Sequence, residues 1–560
     1  MARSGPGAST ARVFVFDERL GAREGDEGEK VLAFFPSGTS ANVMAGAVGL
    51  VEGVAGFVSP FAPVPSGPSP DAPLAQTLRT SRRRVACRRC EPGVWWALSL
   101  DADAAPERAV RDEALQSLLA RAHAHFVLLH GGVQRVLDDA GHDAARRALA
   151  PIVADLGVRL SPSRGPHAGS LLPSLPANPV ALDPGAAFLP TPKQTHLLLR
   201  AVVDAAVAAR ETDAPEVLAA AVFRDDRVAF TTLALPDARV VASYVARCLA
   251  PGAAAGESDT KKAANVWGGD SIGVGPRAEA LAAAVREEAN AATSRLLRDD
   301  ERLRSESRSE SRSESESTNA IRAPPFMASE WRVGEDGFAR WGEGDDASFV
   351  VPAWIRVAGG DDGENDPDPE SASTATTKTQ LCAIRGGATT LAFFLAPDAR
   401  LTPSARAALL ATVADRLPEL DAALETAAGP GGADLAWHAP GLRYAYRDEA
   451  SLATRATPPA KIATLATETL AAVGQVRDEL ERARDEGCGV GVGVGAGAGA
   501  GLTLSTRVRA GRDAWIAGEL SAEGRTMIVV AEGAGGTLLD ASAAARRFAD
   551  AHFEGVFDET

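Results

Sequence analysis

The chain has 560 residues, 45% of them hydrophobic and 24% charged, with a formal net charge of -16 and a pI near 5.1. That length exceeds one hydrophobic core and predicts three or four domains, while the acidic balance argues against nucleic acid as the main partner. Cys87, Cys90, Cys248, Cys382 and Cys488 form no disulfide framework, which points to a reducing compartment.

Met1 to Arg12 contains two Arg and no apolar run, so no secretory signal is expected. Arg12 to Asp17 reads as a strand in which Val13 and Val15 alternate with Phe14 and Phe16, apolar on both faces. A charged, Gly-rich turn follows at Gly21 to Gly28, and Val31 to Phe35 is a second strand, stopped by Pro36. The spacing predicts an antiparallel pair. From Asn42 to Val58 the period changes: Val43, Ala47, Leu50, Val54 and Val58 recur at steps of three or four, as in a helix. Gly46, Gly49, Gly53 and Gly56 fall at helical spacing too, on one side. Each costs about 1 kcal/mol against Ala, so packing must hold this helix. Two readings stand: the helix lies on its own sheet, or its Gly face also meets another subunit. Glu52, Asn42 and the glycines favour a buried helix over a membrane span here.

Phe61 to Pro73 is a Pro-rich loop. Arg79, Arg82, Arg83, Arg84, Arg88 and Arg89 then make the densest basic stretch. It reads either as a solvated strand edge or as a contact for acidic lipid or an acidic partner, with Arg82, Arg83, Arg84 and Arg88 as candidates. Val94 to Leu100 is a central strand. Trp95 and Trp96 point to its opposite faces, so at least one is core and the other is a candidate partner anchor. Cys87 and Cys90 have metal-like spacing but no second pair. His123, His125 and His130 lie near the end of a helix spanning Ala105 to Leu129 and read as solvated. No catalytic constellation, cofactor motif or metal set emerges.

Two strands, a helix, more strands and then helices is the order of a longin domain. The run Phe16-Asp17, Gly21-Ala22-Arg23-Glu24-Gly25, Lys30 to Pro36, Val48-Gly49-Leu50-Val51-Glu52, Phe57, Phe61-Ala62-Pro63 and Val94-Trp95-Trp96 resembles, in order and interval, the opening domain of the Ccz family. These are vacuolar fusion proteins that pair with a Mon partner. The resemblance implies an α+β chain of three longin domains, antiparallel sheets flanked by helices. It also implies one subunit of a heterodimeric guanine-nucleotide exchange factor for a Rab-seven-class GTPase, cytoplasmic and recruited peripherally to the late endosome or vacuole. Such a subunit needs no cofactor and no acid, base or nucleophile. Gly49, Gly53, Gly56, Trp95 and Trp96 become candidates for the partner interface. The rival is another triple-longin trafficking protein of the Hermansky–Pudlak type. Inturned relatives carry a PDZ module ahead of the first longin, and only eleven residues precede Arg12, which weighs against them.

The domains are expected at 11–140, 193–429 and 430–560. Residues 141–192, rich in Pro, Ser and Gly, read as a linker. In the second domain, Lys193 to Ala209 is a helix facing inward through Leu197, Leu198, Val202 and Ala205, followed by a hairpin at 217–233 and a helix at 236–249. Residues 252–322 read as a low-complexity insertion whose Ser-Arg-Glu tract, 304–315, is expected to be disordered, and 359–379 as an acidic loop. Strands at 348–357 and 380–395 and a helix at 403–427, kinked at Pro418, complete that domain. The third holds a strand at 442–447, a helix at 459–484, a Gly-rich loop at 487–501 that lacks the Lys-Ser or Lys-Thr of a phosphate loop, strands near 515 and 525–530, and a helix at 538–553. The closing Phe553 to Phe557 also matches the family.

Overall fold

The computed structural model describes residues 11–21, 29–58, 75–101, 112–161, 186–189, 191–209, 214–225, 227–249, 284, 287–291, 294, 324–326, 330–334, 336–342, 347–356, 376–428, 442–448, 453–457, 465–485, 504–511, 514–521, 524–532 and 537–552. The 304–315 tract, the 487–501 loop, most of the acidic loop and Phe553 to Phe557 lie outside them.

The first domain begins with β1 (Arg12–Asp17) and β2 (Val31–Phe35), which pair antiparallel as expected. After α1 (Ala41–Val58) come β3 (Ala75–Arg79), β4 (Arg83–Glu91) and β5 (Val94–Asp101). The sheet order β2-β1-β5-β4-β3 puts β5 at the centre. Helices cover both faces, which is why β1 is apolar on both: Phe14 and Phe16 pack towards α1, Val13 and Val15 towards the opposite layer. That layer is α2 (Asp112–His130) and α3 (Val133–Leu160). The expected linker at 141–192 is therefore corrected over its first twenty residues, which are helix packed on the first sheet. Gly141, at φ 79, kinks α3, and Pro151 lies inside it; these breakers made the segment read as linker. Gly157 is required by close approach, since a Cβ there would sit 2.2 Å from the Phe35 ring.

β6 (Ala186–Ala187) pairs in parallel with a strand of the third sheet, and Phe188 and Leu189 bond to Val228 in the second. The second domain follows: α4 (Lys193–Ala208), β7 (Val217–Arg224), β8 (Arg227–Thr231), α5 (Leu235–Cys248), the small pair β9 (Trp331–Val333) and β10 (Ala339–Trp341), then β11 (Val350–Ile355), β12 (Thr377–Gly386) and β13 (Thr389–Leu395). α4 turns Thr195, Leu199, Val202, Val203 and Ala206 inward; of the expected inward residues Val202 is buried, Leu198 and Ala205 are half-buried, and Leu197 is 56% exposed. The expected kinked helix is two helices, α6 (Pro403–Val413) and α7 (Leu417–Ala428). Pro418 sits in the first turn of α7, where its missing N–H has no intrahelical role. Within the insertion, 287–291 is helical and Glu288 accepts a hydrogen bond from the Ser37 amide at 3.1 Å.

The third domain has β14 (Leu442–Asp448), β15 (Ala453–Ala456), α8 (Thr467–Asp485), β16 (Leu504–Ala510), β17 (Ala514–Leu520), β18 (Arg525–Glu532) and α9 (Leu538–His552). With β6 and the small pair β9–β10 set aside and the other strands numbered inside each domain, all three sheets share the order 2-1-5-4-3: β2-β1-β5-β4-β3, β8-β7-β13-β12-β11 and β15-β14-β18-β17-β16. The chain is thus α+β, one antiparallel design used three times. α8 and α9 cover opposite faces of the third sheet.

The first two domains share a core. Leu115, Leu119, Phe126 and Leu129 of α2 are buried together with Val241 and Val245 of α5, Val351 and Ala353 of β11 and Phe394 of β13. Polar groups fix the contact: His125 bonds Ser243 at 3.1 Å, Arg247 of α5 pairs with Asp155 of α3, and the Arg135 guanidinium stacks 3.7 Å over Trp354.

Candidate functional site

α1 is apolar all round, so periodicity alone does not choose its buried face. Val48, Val51 and Ala55 face inward, against Phe14, Phe34, Val85, Trp95 and Ala97. The other side carries Val43 at 38%, Leu50 at 43% and Phe57 at 73% exposure, seven residues apart and therefore in line. Gly46, Gly49, Gly53 and Gly56 are exposed, and a Cβ added to any of them would meet nothing within 4 Å among the described residues. The glycines thus do not lie on the chain's own sheet. Glu52 is the helix's one ionisable side chain, and Lys30 pairs with it at 2.7 Å. What remains outward is a flat, uncharged strip about 25 Å long, suited to another packed backbone.

The other candidates do not assemble around it. Trp95 and Trp96 do point to opposite faces of β5, but both are buried, at 2% and 0%. Trp95 stacks on Phe16 and donates its indole N–H to Glu18 at 2.8 Å; Trp96 meets His123 and Phe126 edge-on. With helices on both faces, neither tryptophan is an exposed anchor.

The basic stretch is divided by the strand's alternation. Arg84, 3% exposed, and Arg79 both pair with Asp112 at the start of α2. Arg83 turns to the other face and donates to the Ser99 hydroxyl at 2.7 Å and its carbonyl at 3.0 Å. Arg88 is half-buried and Arg82 is exposed. These four arginines do not form one surface: Arg83 leaves β4 on the side opposite to Arg84 and Arg88, and Arg84 is buried against Asp112.

The histidines are not solvated either. His123 bonds Glu91 at 2.7 Å; Glu91 also accepts the Val133 and Gln134 amides at 2.8 Å and so caps α3 from a distant strand. Burial alone would raise the Glu91 pKa, but His123 and these amides hold it below the usual range. His130 packs on Phe126 with ring centres 4.7 Å apart. Burial pushes the Cys87 and Cys90 thiols up to about 12, the opposite of a metal-binding or redox thiol. Among the described residues no group of three or more His, Cys, Asp and Glu side chains is placed to hold a metal, and no helix is long and apolar enough to cross a membrane.

Residues 10–131 match the family described as the first longin domain of INTU, CCZ1 and HPS4. Along its whole length the chain is 23% identical to vacuolar fusion protein CCZ1 homolog A of Arabidopsis thaliana, covering 99% of that protein. It is also 23% identical to the CCZ1 homolog of Oryza sativa subsp. japonica over 97% of this chain and 96% of that one. The CCZ1 homolog of Nematostella vectensis matches at 24% identity over 24% of the chain.

Proposed function

We propose that this chain belongs to the Ccz family of vacuolar fusion proteins, which its first longin domain and its full-length relatives support, and that it is one subunit of a guanine-nucleotide exchange factor. Its partner is a Mon-type longin protein, and together they activate a Rab-seven-class GTPase at the late endosome and vacuole, held peripherally at the membrane. The role in vacuolar fusion follows the relatives' names. The observation that carries the rest is the outward strip of α1 on the first longin domain: uncharged and glycine-lined, with no described residue within 4 Å of a Cβ placed at Gly46, Gly49, Gly53 or Gly56. Exchange needs no nucleophile. It needs a surface that binds the nucleotide-free GTPase more tightly than the loaded one, and a surface built by two chains places half of it here.

The test is release of a fluorescent guanine nucleotide from the GTPase. This chain alone is expected to leave the rate near its spontaneous value. With the Mon-type partner the rate should rise at least a hundredfold, since each 1.4 kcal/mol of preference for the empty state is tenfold. Full activity from this chain alone would refute the shared surface. Recovery of a Hermansky–Pudlak-type partner instead would favour the other triple-longin class.

Gly53→Leu tests the strip itself. A side chain there enters open space and removes a helix-interior glycine, so the isolated chain should melt unchanged or slightly higher, by up to about 1 kcal/mol. Co-purification of the partner should fall at least tenfold. A chain that melts markedly lower would instead place Gly53 against its own fold.

A further inference from the structure

The insertion of the second domain leaves after α5 and returns at Pro324, Pro325 and Phe326, where several hydrogen bonds hold it. Phe326 is 3% exposed, and its amide donates to Glu330 at 2.7 Å. Its carbonyl accepts Arg247 Nε and Cys248 Sγ, each at 3.3 Å, and the Pro325 carbonyl accepts the Tyr244 hydroxyl at 2.8 Å. The ring lies edge-on to His125 of α2, with centroids 5.7 Å apart, while the Arg247 guanidinium covers its face at 4.2 Å. Arg247 continues to Asp155 of α3. One side chain from an irregular segment thus touches the first domain through α2 and the second through α5. Earlier in the same insertion, Glu288 also ends on the first domain, at Ser37.

We propose that Pro324 to Phe326 is a latch that holds the first domain against the second. Its bonds suit reversible use. Three of them run from α5 side chains to backbone carbonyls, and such bonds exchange for bonds to water at small net cost. One aromatic ring, set between His125 and Arg247, supplies the rest, and withdrawal of the segment takes the Phe326 carbonyl away from Cys248 Sγ. When the latch opens, Cys248 gains access to solvent and the α2–α5 contact loses its shared ring.

Cys248 reports the opening, and Cys382, fully buried in the core of the second domain, is the internal reference. The full-length chain is treated with N-ethylmaleimide, and each thiol is followed by mass spectrometry. Tyr244→Phe, which removes one hydroxyl and keeps the ring, should speed Cys248 alkylation several-fold. Phe326→Ala should speed it at least tenfold, with Phe326→Leu between wild type and Ala. Cys382 should not change in Tyr244→Phe. Parallel acceleration of both thiols in that variant would overturn the latch, because the segment would then be ordinary core. Unchanged Cys248 reactivity in folded Phe326→Ala would overturn it as well.

Discussion

Replacing Asp155 by Ala is expected to destabilise the joined first and second domains by about 3–5 kcal/mol, the usual cost of leaving a buried charge without its partner. Asp155 is 3% exposed; it accepts Arg159 Nε at 3.0 Å and pairs with Arg247 of the neighbouring domain. Burial by itself would raise its pKa, but Arg159 and Arg247 outweigh burial and hold the carboxyl below its ordinary value. Removing it takes a shared counter-charge from two guanidinium groups that are 4% and 10% exposed. The check is a urea unfolding series followed by tryptophan fluorescence. Asp155→Ala combined with Arg247→Met should recover part of the loss, because one of the two stranded charges is then absent. Additive losses would show that the pair is not coupled.

Acid is expected to weaken the same junction well above the pH at which carboxylates protonate. Burial drives the His125 pKa down to about 3, reinforced by Arg247 and Arg121, and drives His130 to about 4. Both are neutral in the folded chain and titrate near 6.5 when unfolded. A depressed folded pKa contributes stability that is complete above the unfolded pKa and is lost as pH falls towards the folded one. The window therefore opens near pH 6.5 and closes towards pH 4 for His130 and 3 for His125. Between pH 7 and 4.5 each histidine should remove about 2.5 kcal/mol. Asp155 adds its own loss only below about pH 4, where its unfolded carboxyl protonates. The urea midpoint should fall across this range, and His125→Gln should roughly halve the fall. A midpoint flat from pH 7 to 5 would show that these imidazoles reach solvent.

Much of the architecture was legible in the chain's own text. The edges of β1 and β2 follow the Val-Phe alternation and Pro36, and the first helix and the central place of Trp95 and Trp96 could be read from period and order. Spacing of apolar residues is a local property, so it survives without knowledge of the neighbours. Gly141 and Pro151 misled because both are helix breakers in isolation, and α3 persists around them only through its packing on β2.

What the sequence determined by itself was the kind of element over its clearly periodic stretches, such as β1, β2, α1 and β5, and the order that makes the first longin domain. Which side of each element faces inward was decided only by tertiary structure. α1 is apolar on every side, and the strip with Leu50, Gly53 and Phe57 was released to the outside because Val48, Val51 and Ala55 fit the sheet. The arginines of β4 are contiguous in sequence, yet the pleat separates them and Asp112, which gathers Arg79 and Arg84, comes from a different element. His125 and Phe326 are 201 positions apart in the chain and meet only because two domains close on one another. Burial and charge pairing depend on groups that are distant in the chain, and a one-dimensional pattern carries no record of them.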